Sequence, residues 1–286
     1  MKTPVPDRKP GDDELDVHGL THVGKVRKEN QDHFLLATIH KHFHVVATSL
    51  TDHQRLPLSD ERLAYVAMIA DGVGGGVGGA EASATALEVA MRYVNNSMAT
   101  YYSGSASETD FIEALQAAAM RSHEAILARR SADGVIGTMA TTLTLFMGVW
   151  PSYYLLQVGD SRYYLWREGT LRQVSRDQTI AQDLVDDGVM SRAVAYKTQF
   201  ANVLSSALGA DKAMPVVTRL QADWHNVHLI CSDGLTKHVS DERIAECLKS
   251  MSSSRQVAEQ LLQDALAAGG SDNITIIVGR TVPRKP

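Results

Sequence analysis

Short apolar runs, rich in β-branched and aromatic residues and bounded by turn residues, dominate the first and third quarters of the chain. Runs of this kind are typical of β-strands. They predict strands at His33 to Leu36, Tyr65 to Ala70, Thr141 to Val149, Tyr154 to Val158, Tyr163 to Trp166, Leu171 to Val174, Val227 to Cys231 and Ile274 to Val278. Two short turns, at 159–161 and 167–169, are expected to join neighbouring antiparallel strands in a meander. The sheet structure is therefore predicted to be largely antiparallel.

Apolar residues at three- and four-residue spacing in the second quarter predict two long helices, Ala80 to Tyr101 and Thr109 to Arg130. A third helix is expected from Ser254 to Ala268, because Ser253 and Gln256 have the spacing of a capping box. Strands and helices that occur in blocks indicate an α+β fold, in which helices cover the outer faces of packed antiparallel sheets.

No linker divides the 286 residues, so a single domain is the simplest interpretation. Residues 1–14 are rich in proline and charge and contain no apolar stretch. This composition predicts a disordered tail and is unlike a secretory signal. One folded domain is expected over 15–280, with a second short tail over 281–286.

Two segments are less regular. Residues 177–202 combine a short helix near Ile180 to Asp186 with a stretch of weak periodicity, and they resemble an inserted flap. Thr38 to Arg62 separates the first two predicted strands and is expected to form a long hairpin or loop. Its irregularly spaced histidines are expected to be exposed to solvent and not to form a transition-metal site: His40, His42, His44 and His53.

Charge and composition narrow the classes of function. The formal net charge of −5 gives no general attraction to nucleic acid or to an anionic membrane, so a phosphate-bearing ligand needs a local source of positive charge. No apolar run reaches the roughly 18 residues that a membrane span requires, which predicts a soluble protein. Two cysteines, Cys231 and Cys247, make neither a disulfide framework nor a cysteine-rich metal site. They favour a reducing compartment, and hence the cytoplasm.

Acidic residues recur beside glycine or asparagine at the ends of apolar runs. Asp71, Asp160, Asp233 and Asp272 all follow this plan, and Asp32 follows a polar run before another strand. A single such aspartate is first of all a turn signal, so the case depends on their number. Oxygen-only ligation is typical of Mg²⁺ or Mn²⁺, whereas zinc would call for histidine or cysteine. The pattern therefore predicts a divalent-metal site.

Seven motifs in this order resemble those of the type 2C, or PPM, family of metal-dependent serine/threonine protein phosphatases, with a bacterial character. The resemblance extends from about Gly19 to Val278. The motifs are Gly19-Leu20-Thr21 with Gly24 to Asp32, Asp71-Gly72-Val73-Gly74-Gly75, Thr141-Thr142-Leu143, Val158-Gly159-Asp160-Ser161-Arg162, Asn202-Val203-Leu204 with Ala207-Leu208-Gly209, Cys231-Ser232-Asp233-Gly234-Leu235, and Ser271-Asp272-Asn273-Ile274-Thr275.

The resemblance implies a β-sandwich of two mostly antiparallel sheets flanked by helices, in four layers (α-β-β-α), with a two-metal centre at one edge. By matched position, Asp71 would bridge both metals and Gly72 would offer its carbonyl oxygen. Asp233 and Asp272 would complete the first metal site.

The same resemblance assigns the outer positions. Asp32 would serve the second metal directly or through water, and Asp160 would help to hold a third, weaker one. Two or three Mn²⁺ or Mg²⁺ ions per chain are expected. Gln31 stands where many members carry glutamate, so the second metal lacks one charged ligand. Arg27 would grip the substrate phosphate, for which a guanidinium fork is suited.

The expected activity is hydrolysis of phosphoserine and phosphothreonine in proteins by a metal-activated water, without a covalent intermediate. Expected partners are the phosphorylated substrates of a cognate serine/threonine kinase, with no nucleic acid or membrane, and the chain is expected to be a monomer. The sequence leaves three alternatives: a catalytically dead pseudophosphatase that binds partners, a hydrolase of small phosphorylated metabolites, and a phosphatase that uses Cys231 as its nucleophile. Carboxylates that repel one another without cations argue against the first.

Overall fold

The strands of this protein form two antiparallel sheets in a computed structural model that describes residues 8–41, 61–74, 77–101, 107–132 and 137–284. The strands are β1 (Leu15–His22), β2 (Asp32–Lys41), β3 (Glu61–Val73), β4 (Ala140–Thr141), β5 (Leu143–Val149), β6 (Ser152–Val158), β7 (Arg162–Arg167), β8 (Thr170–Gln173), β9 (Val216–Gln221), β10 (Val227–Cys231) and β11 (Ile274–Thr281). One sheet has the order β1-β11-β10-β7-β8. The other has the order β2-β3-β5-β6-β9, with β4 paired to β3.

The described helices occur in three blocks along the chain, between β3 and β4, between β8 and β9, and between β10 and β11. They are α1 (Val77–Tyr101), α2 (Glu108–Ala132), α3 (Ile180–Asp186), α4 (Arg192–Ala195), α5 (Asp233–Thr236), α6 (Asp241–Lys249) and α7 (Ser254–Ala267). The predicted helices therefore exist at nearly the predicted positions. The predicted cap of α7 is present too, since the Ser253 side chain accepts a hydrogen bond from the Gln256 backbone N–H (3.1 Å).

Three apolar clusters lie between successive layers. The first joins α1 and α2 to the β2-to-β9 sheet, through residues such as Ala86, Leu115 and Leu145. The second joins α6 and α7 to the other sheet, and the third lies between the two sheets, around Phe146 and Ile277. Burial of these three clusters stacks helices, sheet, sheet and helices in that order. The predicted α+β sandwich of four layers is confirmed.

The meander predicted between Tyr154 and Val174 is wrong at its first turn. β7 does pair with β8, as expected, but β6 and β7 belong to different sheets. Both edges of β6 are taken by β5 and β9, so β7 has no edge of β6 to join. Packed sheets lie roughly 10 Å apart, and an extended connection of three residues spans about that distance. The turn at 159–161 therefore crosses from one sheet to the other.

The tail predicted over 1–14 is wrong from Arg8 onwards. Glu14 is buried and forms an ion pair with Arg8 (2.6 Å), and the Trp224 indole N–H donates to the Arg8 carbonyl oxygen (3.0 Å). At the other end, β11 continues to Thr281. Ion pairs, hydrogen bonds and strand pairing fix both segments, even though their composition is that of a tail. Residues 1–7 and 285–286 lie outside the described residues.

The predicted flap, 177–202, contains α3 where a short helix was expected, followed by α4 and a 3₁₀ turn at Gln199–Asn202. The predicted hairpin between 38 and 62 begins in β2 and returns in β3, while its tip, including three of the four histidines, lies outside the described residues. Within the described ranges, no helix is both long enough and apolar enough to cross a bilayer.

Candidate metal centre and active site

A cleft of about 640 Å³ opens at one end of the sandwich, where strands from both sheets end. Six of the seven predicted site residues line it: Arg27, Asp71, Gly72, Asp160, Asp233 and Asp272. The seventh, Asp32, is buried. Residues from distant parts of the sequence thus meet at a single place.

Asp32 and Asp71 face each other because the antiparallel register of β2 and β3 pairs them directly. One carboxylate oxygen of Asp32, Oδ2, accepts hydrogen bonds from the hydroxyls of Ser232 and Thr275, both at 2.7 Å. The other oxygen, Oδ1, is buried and has no hydrogen-bond partner among the described residues. A buried carboxylate oxygen without a donor requires an explanation, of which a bound cation or water is one.

The backbone of Asp71 is held on both sides by two threonines. Its N–H donates to Thr142 Oγ1 (3.0 Å), and its carbonyl oxygen accepts from the Thr141 hydroxyl and the Thr142 N–H (2.9 Å each). Thr142 Oγ1 also lies 2.8 Å from Ser161 Oγ, beside Asp160. These threonines connect β3 to the crossing turn, so they fix the position of Asp71 relative to Asp160.

The crossing turn is anchored to the flap by Gln178. The Gly159 N–H donates to Gln178 Oε1 (2.8 Å), and the Gln178 N–H donates to the Gly159 carbonyl oxygen (3.1 Å). Gly159 has φ +100°, which favours glycine, and a Cβ atom there would lie 2.6 Å from Thr142. A glycine at this position therefore lets the chain turn sharply and places Asp160 at the rim of the cleft.

Asp233 and Asp272 come from neighbouring strands of the other sheet. Asp233 begins α5 directly after β10, and Asp272 precedes β11, which pairs with β10. Lys237 lies between the two carboxylates, with Nζ 2.6 Å from Asp233 Oδ2 and 2.8 Å from Asp272 Oδ2. Arg27 donates from Nε to Asp272 Oδ1 (2.7 Å) and from Nη2 to Oδ2 (2.9 Å).

Sequence reasoning missed Lys237. The available signal was its spacing, four residues after Asp233, which places both side chains on the same face of a helix. Within the described residues, no group of three or more histidine, cysteine, aspartate or glutamate side chains is gathered into a ready-made metal cluster. Among the described residues, the cationic side chains of Arg27 and Lys237 form ion pairs with Asp272.

Asn273 fixes the loop that carries Arg27. Its Oδ1 accepts from the Gln31 N–H, and its Nδ2 donates to the carbonyl oxygens of Val23 and Glu29, each at 2.9 Å. Because Asn273 follows Asp272 directly, these bonds hold Arg27 against the carboxylate side of the cleft.

We expect Asn273→Ala to lower the free energy of unfolding by about 2–3 kcal/mol, since each lost hydrogen bond contributes about 1 kcal/mol and leaves a backbone group unpaired. Urea denaturation in the presence of chelator measures this change. Asn95→Ala, at an exposed position of α1, is the control and should change the stability by less than about 0.5 kcal/mol. Equal effects of the two substitutions would show that the anchoring contributes nothing.

Burial and mutual repulsion act on the aspartates of the cleft. Burial raises the pKa of Asp32 to about 6, although hydrogen bonds from Ser232 and Thr275 oppose the change. Burial, followed by repulsion from Asp233 and Asp177, raises the pKa of Asp160 to about 8.

The remaining three aspartates differ from one another. Burial, followed by repulsion from Asp32 and Asp233, raises the pKa of Asp71 well above its ordinary value. Burial also raises the pKa of Asp233, against the effect of Lys237. Burial acts in the same direction on Asp272, but hydrogen bonds from Arg27 and Lys237 outweigh it and lower the pKa of this carboxyl.

The raised pKa values predict how the stability of the metal-free protein depends on pH. Above the ordinary pKa of aspartate and below about 8, folded Asp160 keeps a proton that the unfolded chain has lost, so stability falls as the pH rises through this range. The melting temperature in chelator should therefore drop as the pH rises from about 6.5 to about 8. Asp160→Asn should make the drop smaller, and an identical drop in this variant would exclude Asp160 as its source.

The sequence matches a known protein family. The sequence model described as "Protein phosphatase 2C" matches residues 52–269, which is most of the chain. The chain belongs to the protein phosphatase 2C family. The predicted family is therefore confirmed.

Among relatives of this 2C family member, the serine/threonine protein phosphatase PstP of Mycobacterium tuberculosis is 33% identical over 214 residues, which are 75% of this chain. The match spans only about 40% of the length of PstP. The serine/threonine phosphatase stp of Listeria monocytogenes is 29% identical over 215 residues, covering 74% of this chain and 83% of the relative.

Solved structures of 2C phosphatases share the fold. The crystal structure of the M. tuberculosis phosphatase PstP superposes with a TM-score of 0.75 at 28% identity, covering 94% of this chain and 99% of that one. A second structure, the PstP catalytic domain in complex with two manganese ions, gives a TM-score of 0.72 at the same identity and coverage. This family member therefore contains the elements of a complete PstP catalytic domain.

Proposed function

We propose that this chain hydrolyses phosphoserine and phosphothreonine in proteins with the help of Mn²⁺ or Mg²⁺. The observation that carries the proposal is the convergence of Asp71, Asp160, Asp233 and Asp272 on one cleft that also holds Arg27. The proposal is further supported by the similarity to proteins that are named as serine/threonine phosphatases.

The donor atoms of the cleft fit a hard divalent cation. The predicted ligands offer only oxygen atoms, which Mg²⁺ and Mn²⁺ prefer. Asp32 Oδ1 is buried without a partner among the described residues, and Asp71, opposite it in the sheet, is a second carboxylate whose charge is poorly compensated. A cation in this position would offset both charges.

We assign the ligand roles by position. Asp71 would bridge two cations, because it lies between Asp32 in its own sheet and Asp233 across the cleft, and both repel it. Asp233 and Asp272 would complete the first site, and the carbonyl oxygen of Gly72 would contribute to the second.

The outer ligands follow in the same way. Asp32 would support the second cation directly or through water. Asp160, which Asp233 repels and Lys237 attracts, would support a third. Two or three cations per chain are thus proposed.

Bound cations would supply Lewis-acid charge, which lowers the pKa of water at the site and offsets the negative charge of the phosphoryl group. Arg27 would bind that group. Its side chain remains 56% exposed and already holds a carboxylate through two nitrogen atoms, a fork geometry that suits two phosphoryl oxygens equally well.

Cys231 does not provide an alternative nucleophile. Its side chain is fully buried in β10, and burial raises the pKa of its thiol to about 12, so the reactive thiolate does not form near neutral pH. Hydrolysis by direct attack of water, without a covalent intermediate, is the mechanism that we propose.

We expect Arg27→Lys to lower kcat/KM for a phosphothreonine peptide by about 10- to 100-fold, because a lysine cannot replace a bidentate contact to phosphate worth about 1.5–3 kcal/mol. Steady-state kinetics at saturating Mn²⁺ measure the effect. Arg255→Lys, on the exposed face of α7, provides a matched control that should stay at the wild-type value. An unchanged kcat/KM for Arg27→Lys would remove Arg27 from phosphate binding.

A substrate panel tests the proposed function. The purified protein with Mn²⁺ is given phosphoserine, phosphothreonine and phosphotyrosine peptides, together with glycerol phosphate as a small metabolite. We expect the phosphoserine and phosphothreonine peptides to be hydrolysed fastest, because Asn202 is the only residue of the described flap, 177–202, that lines the cleft. Faster hydrolysis of glycerol phosphate would instead make the protein a metabolite phosphatase.

The proposal extends to the setting of the reaction. The substrates would be phosphoproteins made by a cognate serine/threonine kinase, and the protein would act in the cytoplasm as a monomer. Cys231 and Cys247 are both free and buried, which is compatible with a reducing compartment. The phosphatase names of the relatives give no support to a catalytically dead binding module.

A further inference from the structure

Lys237 is enclosed by the carboxylates of the cleft. It lies one helical turn after Asp233, at the end of α5, and its ammonium group contacts Asp233 and Asp272 at 2.6 Å and 2.8 Å. The side chain keeps 29% of its surface exposed, compared with 56% for Arg27. Lys237 also lines the adjoining pocket of about 230 Å³ beneath the flap, together with Asp160.

We propose that Lys237 is an internal cation of the metal centre, which occupies the space between Asp233 and Asp272 and weakens the binding of divalent cations on that side. The inference rests on the proposed function, since it concerns the same carboxylates. It adds a residue of this chain that sets the affinity for the metal and the number of ions bound.

The contacts of Lys237 distinguish it from Arg27. Among the described residues, Arg27 pairs with Asp272 alone, reaches it from the exposed side of the cleft and can transfer its fork to a phosphate. Lys237 bridges two carboxylates at once, and both are proposed ligands of the same ion. A divalent cation can bind both carboxylates only if the ammonium group moves away, because two cations at such short range repel each other strongly.

The charge of the whole cleft points the same way. Buried Asp32 and the five aspartates that line the cleft, Asp71, Asp160, Asp211, Asp233 and Asp272, give at most six negative charges, and Arg27, Lys212 and Lys237 offset three of them. Two divalent cations would more than neutralise the remainder. A third would make the cleft strongly positive, so Lys237 favours a site with fewer or weaker ions.

A purely structural role makes a different prediction. An ion pair between residues four apart on a surface helix contributes only about 0.3–0.5 kcal/mol to stability. If Lys237 only stabilised α5 through its ion pair with Asp233, its removal would slightly lower the stability of the fold and leave metal binding unchanged. Metal affinity therefore distinguishes the two roles.

Isothermal titration of the metal-free protein with Mn²⁺ tests the inference. Lys237→Met removes the charge and keeps most of the side-chain volume, and Lys249→Met, at the exposed end of α6, makes the same change of charge elsewhere. We expect Lys237→Met to bind Mn²⁺ at least about tenfold more tightly than wild type, or to bind one ion more, while Lys249→Met stays at the wild-type value. Unchanged or weaker binding by Lys237→Met would overturn the inference.

Thermal melts supply a second readout, with Lys237→Gln as an additional variant in case the methionine destabilises the fold. In chelator, the variants should melt below wild type, because the carboxylates lose a partner. On addition of Mn²⁺, their melting temperature should rise by more than that of wild type. An equal or smaller rise would contradict the proposed competition.

These tests are separable from the test of the proposed function. A Lys237→Met protein that binds Mn²⁺ more tightly while neither it nor wild type hydrolyses phosphopeptides would refute the activity and leave the internal cation in place. If wild type hydrolysed phosphopeptides and both proteins bound Mn²⁺ identically, the proposed activity would stand and the internal cation would be refuted.

Discussion

Asp71→Asn is expected to lower kcat/KM for a phosphothreonine peptide roughly 1,000-fold, which corresponds to about 4 kcal/mol of transition-state stabilisation. Asp71 lies opposite Asp32 in the sheet and lines the cleft with Asp233, so it is the carboxylate best placed to contact two cations. An asparagine keeps the shape of the side chain but removes the negative charge that both cations would share. The rate of phosphate release at saturating Mn²⁺ measures the loss.

The same variant reports whether the loss arises from unfolding. Burial and the neighbouring carboxylates raise the pKa of Asp71 well above its ordinary value, so its charge destabilises the metal-free fold. Asp71→Asn should therefore melt at or above the wild-type temperature in chelator. Asp187→Asn, at an exposed position after α3, is the control for both measurements. Retention of more than about a tenth of the wild-type kcat/KM by Asp71→Asn would contradict the bridging role.

Removal of the metal is the second change that we expect to have a large effect on activity. We expect activity in excess chelator to fall below about 1% of its value with Mn²⁺, and to return when Mn²⁺ is added in excess. The fold should persist, because the three apolar clusters lie between layers away from the cleft, and Arg27 and Lys237 still offset part of the charge. Circular dichroism recorded on the same samples checks this.

Two outcomes would count against the account of metal removal. Full activity in chelator would mean that the cleft residues catalyse hydrolysis without cations. Loss of the circular dichroism signal in chelator would mean that the metal holds the fold together, so that loss of activity would carry no information about catalysis.

The periodicity of the sequence predicted most of the elements but not how they are arranged. Strands with two buried faces, such as β6, are plain in the sequence, whereas β9 was missed because all six of its residues are at least partly exposed. β1 was missed for a similar reason, since none of its positions is fully buried. The crossing between sheets at 159–161 could not be seen, because a short turn looks the same whether it joins neighbours or changes sheets.

The candidate site, like the fold, could be predicted from the sequence only in part. Four of the aspartates, Asp71, Asp160, Asp233 and Asp272, could be recognised in the sequence because each lies at the end of an apolar run, beside a residue that permits a turn. The residues that hold the aspartates in place could not be recognised, because their role depends on contacts between distant segments. Asn273 binds the backbone of Gln31, 242 residues away, and Thr275 donates to Asp32 across 243 residues. Lys237 was missed because its role depends on the helical phase of α5, a helix of four residues.

The initial rate of phosphate release from a phosphothreonine peptide, measured against Mn²⁺ concentration for wild type and Asp233→Ala, tests the central claim most directly. The account predicts a rate for wild type that rises from near zero and saturates as Mn²⁺ is added, and a rate for Asp233→Ala at least about 100-fold lower at every concentration. If wild type were no faster than Asp233→Ala, or equally fast without Mn²⁺, the cleft would not be a metal-dependent phosphatase site.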